Sequence, residues 1–154
     1  METVQDRPVS FFRFEDLRVY AKATDYCTWV IKNIGTPEND SQRNLVNSFC
    51  HSAYDIALNI AEGSSRSKNQ FEHNLRVSKT AIRECIVFTT VATTLGLLDE
   101  EQCNQSREFL MEMTRMIGAL IISLQRGSRR SSEEEYSSDE EPDNTSEETE
   151  EMSF

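Results

Sequence analysis

At 154 residues, 37% of them hydrophobic, and with a formal net charge of −11, the chain is long enough for one domain with a real core. The charge is unevenly spread: all 16 Lys and Arg lie at or before Arg130, whereas Ser131 to Phe154 holds 11 of the 27 acids, so the body is electrically balanced and the end is a polyanion. No run reaches the roughly 18 apolar residues of a membrane span, and "METVQDRPVSFFRF" has acids and a proline where a signal peptide needs apolar residues, so the expected location is cytoplasmic, with no membrane partner.

After an N-terminal arm at 1–13, the spacing predicts a first helix from about Glu15 to Ile34, with Leu17, Tyr20, Ala21, Thr24, Cys27 and Ile31 on one face and Gly35 at its end. A second runs from about Ser41 to Glu62, with Leu45, Phe49, Ala53, Ile56 and Ile60 three or four apart, and Gly63 reads as its stop. Ser67 with Gln70 resembles a capping box that opens a third helix to Leu95, carrying Phe71, Leu75, Ile82, Cys85, Ile86 and Thr89. Gly96 ends it, and Asp99 with Gln102 opens a fourth, whose Phe109, Leu110, Met113, Ile117, Leu120, Ile121 and Leu124 run to about Arg126. Four long amphipathic helices with short turns imply an all-α, antiparallel up-down four-helix bundle over residues 14–126. From Gly127 to Phe154 the sequence has low complexity and few apolar residues to offset its ordering entropy, which predicts a disordered acidic C-terminal tail.

Little in this pattern carries catalysis. A carboxylate-bridged metal site in a bundle needs Glu-x-x-His pairs, and the two histidines, His51 and His73, have no acid three residues before them. The four cysteines, Cys27, Cys50, Cys85 and Cys103, are 23, 35 and 18 residues apart, which is neither a zinc spacing nor a redox pair and reads as reduced thiols packed in helices. No phosphate-cradling loop or nucleophile–base pair stands out, so the expectation is a protein without cofactor, metal or enzymatic activity.

The corner "NIAEGSSRS" places Glu62 where a helix dipole is negative, with Asn59, Gly63 and Arg66 around it. These four residues read as a structural corner, in which Ser64, Ser65 and Arg66 supply donors to the carboxylate and Asn59 fixes the turn. With "FEDLRVYAKA", "SAYDIALNIAEG", Arg66, Phe71, Leu75 and Glu84, "LGLLDEEQ" and "RMIGALIISL", the corner resembles a four-helix-bundle family. That family is named after proteins encoded in 23S rRNA intervening sequences and is related to the accessory variability proteins of diversity-generating retroelements. The resemblance covers about 110 residues, Phe14 to Leu124, with Tyr20 where the family more often has Trp. It implies a homopentamer and, from the retroelement members, a reverse transcriptase and its RNA as partners held through basic surfaces. Ser48, Cys50 and His51 replace a Gln and two Arg common in the family, and Asp55 a Ser, which lowers the positive charge of the second helix.

On the third helix Arg76, Lys79 and Arg83 fall within about 60° on a helical wheel, and Arg66 and Lys68 at the corner extend them into a candidate nucleic-acid-binding stripe. Glu72 and Glu84 nearby fit an ordinary solvated face equally well. Val19, Trp29, Val30, Val87 and Val91 fall outside the predicted core stripes and offer an oligomer surface. The tail passes from Arg126, Arg129 and Arg130 through acids and serines to Met152 and Phe154. It is similar to the acidic tails of single-stranded-DNA-binding proteins, which makes Met152 and Phe154 a candidate partner-binding tip and the polyanion a competitor for the basic surface. Two functions follow: a non-enzymatic, oligomeric accessory protein that binds RNA or DNA for a reverse transcriptase or another nucleic-acid-processing enzyme, or a scaffold ring that displays acidic tails and binds no nucleic acid.

Overall fold

The computed structural model describes residues 10–138; the first nine residues and 139–154, with Met152 and Phe154, lie outside the described residues. A 3-10 turn at Arg13–Asp16 leads into α1 (Arg18–Asn33), α2 (Asp40–Ser64), α3 (Lys68–Thr94) and α4 (Glu100–Ser138), with no strand among the described residues. Each helix packs on two neighbours, in the order α1, α2, α3, α4 and back to α1. Contacts across the pairs run in opposite senses. Lys22 meets Glu112 while Asn33 meets Gln102, and Ser52 meets Glu84 while Asn59 meets Asn74, so adjacent helices are antiparallel and the fold is an up-down bundle.

Local chemistry sets the helix starts. Asn39 accepts from the Gln42 amide at 2.9 Å, and Ser67 from the Gln70 amide at 3.4 Å. At α4 the box is reciprocal: Asp99 Oδ1 accepts from the Gln102 amide at 2.7 Å and Gln102 Oε1 from the Asp99 amide at 3.0 Å, leaving two otherwise orphaned donors satisfied. Gly96 holds the one positive φ among the described residues, +76°, in the turn after α3.

The core stripes of α2, α3 and α4 match the spacing, with Phe49, Ile56, Ile60, Leu75, Leu110, Met113 and Ile117 fully buried. Helix α1 is rotated from the predicted face. Its buried residues are Val19, Ala23, Tyr26 and Val30, so Val19 and Val30 belong to the core and not to an outer surface. The rotation is set by Tyr26, whose ring is buried because its hydroxyl is paired with Ser106 at 2.8 Å, itself 2.7 Å from Thr89. The predicted α1 face instead lines an open groove of about 600 Å³ against α2, where Ile31, Tyr54 and Leu58 are exposed.

Helix α4 also departs from expectation, continuing to Ser138 instead of ending near Arg126. One helix-interior glycine, Gly127, costs only about 1 kcal/mol, and the following Ser and Glu residues tolerate helix, so residues 127–138 of the expected tail are helical and the rest of it lies outside the described residues.

Burial pushes the Cys27 thiol up to about 11 and raises Cys85 and the Tyr26 phenol as well. The folded chain holds these protons more tightly than the unfolded one. Their stabilisation is therefore complete below the ordinary thiol value of 9.0 and is lost as pH climbs through the folded value. The melting temperature should stay level to about pH 9 and drop between about pH 9 and 11; a midpoint unchanged to pH 11 contradicts this assignment.

Candidate nucleic-acid interface

The structure brings the four corner residues together and divides their roles. Arg66 donates to the Glu62 carboxylate in an ion pair, as expected, but both side chains are about half exposed, at 44% and 58%. Ser64 and Ser65 donate to the main-chain carbonyls of Ala61 and Glu62, not to the carboxylate, and so finish the helix end. Asn59 donates to the Asp55 carbonyl and accepts from Asn74 at 3.2 Å, which ties α2 to α3. Gly63, the last residue but one of α2, is not the left-handed stop that glycine commonly provides. It lies inside α2, is buried, and lets α3 approach so closely that a Cβ would sit 2.6 Å from Asn74 Cβ and 2.9 Å from Phe71 Cδ2.

The clasp is therefore the weaker half of the corner. An exposed i,i+4 pair contributes about 0.3–0.5 kcal/mol, so Glu62→Gln should change the unfolding free energy by less than about 0.5 kcal/mol. A loss above about 1.5 kcal/mol in a urea titration would mean that Glu62 anchors the turn in a way its exposure does not suggest.

Along α3, Lys68, Arg76, Lys79 and Arg83 lie on one flank at the edge of the buried stripe, where Lys68 and the interposed Glu72 reach α4. Arg76, Lys79, Thr80 and Arg83 line a shallow recess of about 160 Å³. The cations are not equivalent. Arg76 is paired with Glu72 at 2.8 Å, and Glu72 also accepts from Gln125 of α4 at 2.9 Å. The Arg76 and then the Gln125 hydrogen bond hold the Glu72 carboxyl below the usual range, so it stays charged and neutralises much of Arg76. Lys79 and Arg83 have no ion pair among the described residues. Within this recess the free charge thus sits beyond Arg76, at Lys79 and Arg83.

Lys68 faces a different neighbour. A Cβ at Gly127 would stand 3.0 Å from Lys68 Nζ, so the ammonium lies over the α4 backbone. There Arg126 and Arg130, one turn apart, line a second recess of about 400 Å³ with Ala119, Ile122, Ser123 and Gly127. By composition alone both arginines fall at the start of the tail. The signal that would have found them is their i,i+4 spacing in register with the preceding helix. Arg66 is drawn to Glu62 and contributes no free charge to either recess.

Among the described residues no group of three or more His, Cys, Asp or Glu side chains could hold a metal, and no helix is long and apolar enough to cross a membrane. No curated protein matches the chain significantly. A family model, that of the 23S rRNA-intervening sequence protein, matches residues 15–119, which take in the end of the 3-10 turn, the first three helices and half of α4. With more than two thirds of its length matched and four antiparallel helices in the expected order, the chain belongs to the 23S rRNA-intervening sequence protein family.

Proposed function

We propose that the protein is a non-enzymatic accessory factor that binds RNA or DNA through phosphate contacts, acts as a homo-oligomer, with a homopentamer expected, and serves a nucleic-acid-processing enzyme such as a reverse transcriptase. The observation that carries this reading is the pair of uncompensated cations, Lys79 and Arg83, on an exposed helix flank whose neighbouring Arg76 is held in place by Glu72 and Gln125. A lysine and an arginine with no carboxylate partner on an exposed helix flank suit the phosphates of a nucleic-acid backbone. Repetition of the flank around a symmetric ring would multiply a modest patch into an extended cationic surface.

Titrating the full chain into a fluorescent RNA hairpin at low salt, beside an uncharged-backbone oligomer of the same sequence, tests the reading. Anisotropy should rise for the phosphate backbone alone and be indifferent to base sequence. No binding to the hairpin would favour the second reading, a scaffold ring without nucleic-acid contact. That alternative draws on the exposed apolar surfaces at Ile31, Tyr54 and Leu58 and at Val87 and Val91. Both readings require assembly, so light scattering that gives a 17.7 kDa monomer at micromolar concentration would remove the ring from either.

A further inference from the structure

The recess on α4 has a composition different from that of the α3 flank. Its floor is apolar, formed by Ala119 and by Ile122, which is 51% exposed on a helix whose opposite face is core. Its lining is cationic at Arg126 and Arg130, and the Lys68 ammonium lies beside Gly127, which also lines it. Neither arginine nor Lys68 has an ion pair to a carboxylate among the described residues. No aromatic ring lines the recess, so it offers no platform on which a base could stack. The ligand that matches it is a peptide that presents several carboxylates together with a few apolar side chains.

Residues 139–154 have that chemistry: eight acids, no Lys or Arg, and Met152 and Phe154 directly after the acidic run. We infer that this segment docks intramolecularly in the α4 recess, its carboxylates over Lys68, Arg126 and Arg130 and its apolar residues against Ala119 and Ile122. The reach fits. From Ser138 back to Ile122 is about 24 Å along a helix, well within the roughly 53–58 Å that sixteen residues can cover at full extension. A segment tethered at that distance samples the recess at roughly millimolar effective concentration, so weak contacts suffice. Docking needs no nucleic acid and stands apart from the function proposed above. Its consequence, that the seated segment masks Lys68 and shortens the cationic flank, rests on that reading.

The test uses the full chain with Phe154→benzoylphenylalanine, which keeps an aromatic group and adds a photoreactive ketone. Irradiation at low salt, without nucleic acid, should give intrachain cross-links within residues 119–130. Mixing light and heavy isotope-labelled copies identifies any link between copies. Adding Arg126→Glu and Arg130→Glu should lower the yield by about fivefold or more, as should salt well above physiological strength. If the double reversal weakens the helical signal, Arg126→Gln with Arg130→Gln removes the charges with helix-compatible residues and must show the same loss. Cross-links scattered over the bundle, links joining light to heavy copies, or a yield indifferent to both double variants would overturn the proposal. Because the measurement contains no nucleic acid, its failure leaves the proposed function untouched, and the failure of that function leaves this result standing.

Discussion

Gly63→Ala should lower the unfolding free energy by about 1–3 kcal/mol, while the same substitution at Gly118 should raise it by up to about 1 kcal/mol. Both glycines lie within helices, so propensity alone favours alanine at each. The surroundings decide the sign. At Gly118 a Cβ meets nothing within 4 Å. At Gly63 it would meet Asn74 Cβ at 2.6 Å, an atom that cannot retreat unless the α3 backbone moves, and Phe71 Cδ2 at 2.9 Å. Separating α2 from α3 there also strains the Asn59–Asn74 hydrogen bond, one turn away. At roughly 4 °C per kcal/mol for a domain of this size, thermal melts would read the two variants as shifts of opposite direction. Stabilisation of both would return Gly63 to the role of a mere helix end.

The same residue marks what was legible in the sequence. Four helices, their order and most of their core could be read because apolar residues recur at three and four, and because Ser67 and Asp99 open helices with side chains that can reach the amide three residues on. A glycine after an apolar run looks like a stop. That it is instead a contact depends on Phe71 and Asn74, across a turn whose geometry no local pattern encodes. The spacing in α1 points the wrong face inward because a tyrosine looks like a boundary residue until its hydroxyl finds a partner, and Ser106 lies 80 residues away. The basic stripe was recognisable as a helical pattern. Its unequal charges were not, because Glu72 is fixed between Arg76 on its own helix and Gln125, 53 residues further on.

Lys79→Glu with Arg83→Glu should weaken binding of the full chain to an RNA hairpin by at least about tenfold, uniformly across sequences. Two phosphate contacts are lost and two repulsions gained, on exposed or half-exposed positions whose replacement leaves the core intact. Arg76→Ala should cost less than either of these reversals alone, because Glu72 already neutralises part of that charge. Glu72→Gln should tighten binding, since it keeps a hydrogen-bond acceptor for Arg76 and removes the competing carboxylate. If Arg76→Ala abolished binding while the double reversal left it intact, the compensated cation would be the contact and the account of the flank would have the wrong residue at its centre.

Contact with nucleic acid through phosphates on the α3 flank has a direct signature, the slope of log affinity against log salt concentration. For the full chain and an RNA hairpin, affinity should fall steeply with added salt, and Lys79→Glu with Arg83→Glu should make the slope shallower by about 2. A slope near zero for the unaltered chain, or one that the double reversal leaves unchanged, would contradict it.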